Sequence, residues 1–83
     1  MTKKEAKESL VSALRDQGVD YINEGDAVEF EGLSVGFDTN YINVRHGSVS
    51  VHYPLSKLSY ITVTGGAFWI STIDDYEFTV IYF

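Results

Sequence analysis

The sequence predicts an α+β fold: an N-terminal amphipathic helix packed on a curved, mostly antiparallel meander of six or seven short strands. Three observations predict it. Apolar residues recur at helical spacing over the first seventeen residues. From Asp26 onward the apolar residues alternate with period two, punctuated by turn signals about every 8–12 residues. The C-terminal stretch from Tyr60 to Phe83, YITVTGGAFWISTIDDYEFTVIYF, is the richest in β-branched and aromatic residues and is broken at Gly65-Gly66 and Asp74-Asp75. Residues 1–83 read as a single domain, with the helix over about 2–17 and the meander over about 26–83.

The helix is specified at both ends. Thr2 followed three residues later by Glu5 is a capping box, in which hydroxyl and carboxylate satisfy amides left without partners in the first turn. Ala6, Leu10, Ala13 and Leu14 fall at i, i+4, i+7 and i+8, and Val11 widens the stripe. Lys4, Glu8, Ser12, Arg15 and Asp16 occupy the rest of the surface. Gly18 suits the left-handed position after the helix, from which Val19 can pack back onto Leu14. A narrow, alanine-bearing stripe suits close approach to a sheet.

Val19 to Gly25 reads either as a connecting loop or as a short strand holding Tyr21 and Ile22. A two-residue turn at Glu31-Gly32 sets Phe30 against Leu33 and Val28 against Val35, on one face as register requires. Glutamate is poorly suited to positive φ, so a glycine-centred bulge is the alternative. In the next hairpin, a turn at His46-Gly47 pairs Val44 with Val49 and Ile42 with Val51. The other face then pairs Tyr41 with His52, Asn43 with Ser50 and Arg45 with Ser48. Pro54 ends that strand, and PLSKLS forms a turn or one helical turn.

Gly65-Gly66 is a favourable hairpin turn that pairs Val63 with Phe68 and Ile61 with Ile70, leaving Tyr60 with Ser71 and Thr62 with Trp69 on the other face. The last strand presents a conflict. A two-residue turn at Asp74-Asp75 sets Thr79 against Ile70, whereas Phe78, Val80 and Tyr82 read as the core set. A three-residue connection or a bulge reconciles them and is the expectation. The alternative is a strand covered on both faces.

Composition limits the function. With 83 residues, 45% of them hydrophobic, the chain supports one core and is not disordered, and without cysteine it has neither disulfide nor thiolate metal ligand. The net charge of −6 is uneven: Lys3, Lys4, Lys7 and Arg15 nearly balance the helix, while beyond it only Arg45 and Lys57 face nine acids. Such a body is a poor direct binder of nucleic acid, because neutralising phosphates needs clustered lysine and arginine. The early lysines precede no apolar run of signal-peptide length, and Val80 to Phe83 is too short to span a bilayer, so a cytoplasmic location with no membrane partner is expected.

No catalytic or cofactor template fits. His46 and His52 lie six residues apart with no third soft ligand, and parity places them on one face only if His46 is outside the turn. The acidic run Asp20, Glu24, Asp26, Glu29, Glu31 lacks the ligand order of a calcium loop and reads as a solvated, aggregation-resistant edge. The serines have no strained elbow or triad partner, Asp74-Asp75 suits a turn, and Gly65-Gly66 lies between strands instead of at a helix N-terminus. A non-enzymatic protein without metal or cofactor is therefore expected.

Twelve aromatic residues are the remaining lead. Phe30, Phe37 and Phe68 belong to the core on these registers, while Tyr41, Tyr60 and Trp69 fall on the other face with His52 beside Tyr41. Exposed tyrosine and tryptophan mark protein-binding surfaces; the same face can instead be covered by the helix or by a second copy. The leading expectation is a small acidic protein-binding module that occupies a basic, nucleic-acid-binding surface of a partner, using Glu29, Glu31, Tyr41, Tyr60, Trp69, Asp74 and Asp75. Compactness, acidity and the lack of catalytic residues are features similar to those of many phage-encoded antagonists of host proteins, anti-CRISPR proteins among them. No family motif accompanies that likeness. One alternative is a homodimer formed through the last strand by Tyr76, Phe78, Val80 and Tyr82. Another is a small-molecule binder that uses the interior of the curved sheet.

Overall fold

In a computed structural model, which describes residues 1–73 and 78–83, one helix lies against two antiparallel sheets. Helix α1 spans Lys3–Asp16. The first sheet contains β1 (Ile22–Glu24), β2 (Ala27–Phe30), β3 (Leu33–Phe37), β4 (Tyr41–His46) and β5 (Val49–Pro54), in chain order. A single 3₁₀ turn, Leu55–Lys57, leads to the second sheet, β6 (Leu58–Thr64), β7 (Ala67–Thr72) and β8 (Phe78–Tyr82), again in chain order. The α+β class and antiparallel meander agree with the sequence reading. The eighth strand is β1, whose three residues are all exposed and so carry no alternation to read.

The helix begins and ends as its sequence dictates. The Glu5 amide donates to Thr2 Oγ1 at 3.1 Å, and the Thr2 amide donates to Glu5 Oε1 at 2.9 Å, closing the capping box. At the other end Gly18 takes φ 67°, its amide donates to the Arg15 carbonyl at 3.1 Å, and the Val19 amide reaches the Leu14 carbonyl at 2.9 Å. These are the paired bonds of a Schellman stop. Ala6, Leu10, Val11 and Leu14 are buried and join one core with Val28, Phe30, Val35, Ile61, Val63 and Phe68. The helix packs chiefly on β6. Because its stripe shares the core with Ile61 and Val63, it lies on the inner face of the second sheet and not on the outer one.

Two hairpins have the expected registers. Glu31 (φ 47°) and Gly32 (φ 80°) form the turn that pairs Phe30 with Leu33 and Val28 with Val35, so the strained two-residue turn prevails over the bulge. Gly65 (φ 59°) and Gly66 (φ 75°) set Val63 against Phe68 and Ile61 against Ile70. A bulge between Leu58 and Tyr60 leaves Ser59 beside the ladder, where its hydroxyl donates to the Thr72 carbonyl at 2.9 Å.

Two registers differ from expectation. The β4–β5 turn is Gly47-Ser48, and Val44 pairs with Val51, Ile42 with Tyr53 and Asn43 with His52. Placing Gly47 first in the turn puts the positive φ of 61° on glycine and returns His46 to the strand. Val49, expected in the core, then lies at the hairpin end opposite His46 and is exposed. In the last strand, Thr79 does oppose Ile70 and Ile81 opposes Phe68, so the expected bulge is absent from the β7–β8 ladder. Phe78, Val80 and Tyr82 therefore face outward. The inner face is completed by Ile81, by Phe83 packed edge-on against Phe30, and by a hydrogen bond between the Thr79 and Tyr53 hydroxyls. That bond gives Thr79, a half-buried polar residue on the inner face, a hydrogen-bond partner.

Candidate functional site

The fold concentrates acidic side chains at the β1–β2 edge of the five-stranded sheet. Gly25-Asp26 is the turn that folds β1 back on β2, pairing Ile22 with Glu29 and Glu24 with Ala27. Gly25 carries the positive φ of that turn, at 60°. Residues directly opposite in a ladder share a face, so Ile22, Glu24 and Glu29 stand together on the outer side.

An open groove of about 520 Å³ runs beside them, lined by Asp20, Tyr21, Ile22, Glu29 and Glu31 among others. A smaller one of about 280 Å³ shares Ile22 and Glu29 and adds Glu24. Ile22 is 58% exposed at the junction of the two. A basic side chain fits this arrangement, with its methylene stem over Ile22 and its charged head among the carboxylates.

The helix neutralises only one corner of this edge. Lys3 pairs with Asp26 at 2.9 Å, Lys7 donates to the Gly25 carbonyl at 2.6 Å, and Arg15 Nε donates to the Tyr21 hydroxyl at 2.9 Å. Among the described residues no cation pairs with Asp20, Glu24, Glu29 or Glu31. These four carboxylates face water. The sequence reading gives Glu29 and Glu31 a partner-binding role, but takes Asp20 and Glu24 only as part of a solvated edge and Ile22 only as part of a possible short strand. Recognising Gly25-Asp26 as a hairpin turn, which brings Ile22 beside Glu29, is the signal that finds them.

The expected aromatic surface is divided between the sheets. Tyr41, 42% exposed, lies on β4, and its ring centroid is 4.7 Å from that of His52 on β5. The two rings neighbour each other diagonally, since His52 pairs with Asn43. Tyr60 and Trp69 are on the second sheet, and Glu29 and Glu31 are with neither group. His46 and His52 fall on opposite faces of the first sheet even though His46 is outside the turn, because Gly47-Ser48 shifts the pairing. Asp74, Asp75 and Tyr76 lie outside the described residues.

On the second sheet, three cross-strand rows form the outer face: Tyr60, Ser71 and Phe78; Thr62, Trp69 and Val80; Thr64, Ala67 and Tyr82. Phe78 is 67% exposed, Tyr82 72% and Tyr60 42%. The Trp69 indole nitrogen is shielded from solvent and is, among the described residues, the buried side-chain polar atom without a hydrogen-bond partner.

The described residues thus carry an acidic groove on one sheet and an uncharged aromatic face on the other. No protein-family model, curated protein or solved structure matches the chain.

Proposed function

We propose that this protein is a small non-enzymatic binding module whose acidic β1–β2 edge occupies a basic, nucleic-acid-binding surface of a partner protein. One observation carries the reading: Glu29, Glu31, Asp20 and Glu24 surround grooves with an exposed Ile22 at their junction and have no cationic partner among the described residues. Carboxylates spaced along a strand edge can stand in for backbone phosphates, and complementary charge speeds association while making it sensitive to salt. Acting this way, the module inhibits by competition with nucleic acid.

The test is affinity capture from host-type lysate, washed at low and high salt, with Glu29→Gln/Glu31→Gln run beside the wild type. The expected result is a nucleic-acid-binding protein retained by the wild type at low salt, released at high salt and displaced by added nucleic acid. The double amide should lose it. Retention by the double amide at wild-type strength would discard the proposal.

A further inference from the structure

We propose that the outer face of the three-stranded sheet is where this chain pairs with a second copy of itself, sheet against sheet about a two-fold axis. The nine residues of its three rows include no charged side chain, and its largest members are aromatic. Two observations select a second copy over a basic partner. First, the chain carries a net −6, so a basic protein is drawn to its carboxylates, whereas two acidic copies meet most easily where neither presents charge. Second, the face is self-complementary in spacing. Phe78 and Tyr82 stand symmetrically on either side of Val80, in whose row Trp69 lies. A two-fold axis through that row sets Phe78 of each copy against Tyr82 of the other, giving two aromatic pairs across an aligned packing of sheets.

The area fits a weak, reversible dimer. Taking about 200 Å² for each aromatic side chain, the exposed parts of Phe78, Tyr82 and Tyr60 amount to roughly 360 Å² per copy. A pair then buries about 700 Å² before Trp69, Val80 and Thr62 are counted, which is below the size of stable interfaces and in the range of weak, transient ones. The inference stands apart from the acidic groove and has the opposite salt dependence. Screening weakens attraction to a basic partner, but it relieves repulsion between two acidic copies.

Sedimentation velocity on the full chain, from about 1 to 200 µM at low and at moderate salt, tests it. The expected result is a monomer–dimer equilibrium that shifts toward dimer as salt rises, with the emission of Trp69, the chain's single tryptophan, changing over the same concentrations. Phe78→Glu, at an exposed position, should weaken self-association by about tenfold or more, while capture of the basic partner is unchanged. A wild type monomeric at every concentration and salt overturns the inference, as does a Phe78→Glu chain that dimerises like the wild type. Loss of the basic partner in Phe78→Glu, with the wild type monomeric, assigns the face to that partner instead. Loss of capture in the Glu29/Glu31 amides with dimerisation intact bears on the groove alone.

Discussion

Glu31 holds a backbone conformation that its side chain disfavours, and relieving it should make the protein more stable. It is the first of two residues in the β2–β3 turn, with φ 47°, and among the described residues it is the non-glycine at positive φ. Both turn residues being left-handed matches a type I′ turn, where asparagine followed by glycine is the favoured pair. An ordinary L-residue there costs roughly 1–2 kcal/mol, which asparagine lowers by bonding locally to the backbone. Glycine removes the strain but adds about 0.5–1 kcal/mol of unfolded-chain entropy. Glu31→Asn should therefore gain about 0.5–1 kcal/mol, and for a domain of this size that raises Tm by about 2–8 °C. The assay is thermal and urea unfolding followed by circular dichroism, with Glu31→Gln as the control. Glutamine removes the same charge but has no preference for the left-handed region. If glutamine stabilises as much as asparagine, the gain comes from reduced charge repulsion and the strain argument fails. The same Glu31→Asn change removes a groove carboxylate, so it should also weaken partner capture, a trade of binding against stability.

Three further outcomes follow from the described contacts. Leu10→Ala empties a fully buried site between the helix and β6 and should cost about 2–5 kcal/mol, read as a lowered urea midpoint with the m-value unchanged. Tyr53→Phe removes the hydroxyl bonded to Thr79 and should cost about 0.5–1.5 kcal/mol; an equal loss when Thr79 is already valine would show that the two do not interact and would contradict the β8 register. The Thr2 amide, and after it the Thr2 hydroxyl, hold the Glu5 carboxyl below its ordinary range. As pH falls the unfolded chain takes up that proton first, so the stabilisation is complete above about pH 4.3 and is lost as pH drops through the lower folded value. Glu5→Gln should thus narrow its stability deficit in acid, and a deficit constant with pH from neutral to acid would refute this.

Local chemistry made much of the fold legible. Thr2, Glu5 and Gly18 state the limits of α1, and Gly65-Gly66 specifies the β6–β7 hairpin down to each pair. Misreadings arose where two local signals competed. At His46-Gly47-Ser48 either dipeptide could turn the chain, and the one that spares histidine a left-handed backbone prevailed. In β8 the larger aromatics read as the core set, yet Ile81 and Phe83 suffice to pack on Phe68 and Phe30, and Tyr53 supplies a partner for Thr79. Hydrophobicity alone could not choose between faces that are both apolar. The acidic edge was visible as a run of charge, but its grooves arise from folding β1 onto β2 and belong to no single residue.

The order in which the strands pair bears on how the chain acquires its structure. Among the described residues every ladder joins strands adjacent in the chain, so each sheet can close hairpin by hairpin. The helix is different. It precedes every described strand in the chain, yet it packs on β6, and the Met1 amino group donates to the Leu55 carbonyl across 54 residues at 2.9 Å. Its apolar stripe, which shares the core with Val28, Phe30 and Val35, is not fully covered until β6 has left the ribosome. Docking of the helix is then the late, long-range event of folding, with φ-values at Leu10 and Leu14 lower than those at Val63 and Phe68. A φ-value at Leu10 equal to that at Phe68 would place the helix in the nucleus instead. During synthesis, the interval before β6 emerges is when a chaperone has the incompletely covered stripe of α1 to hold.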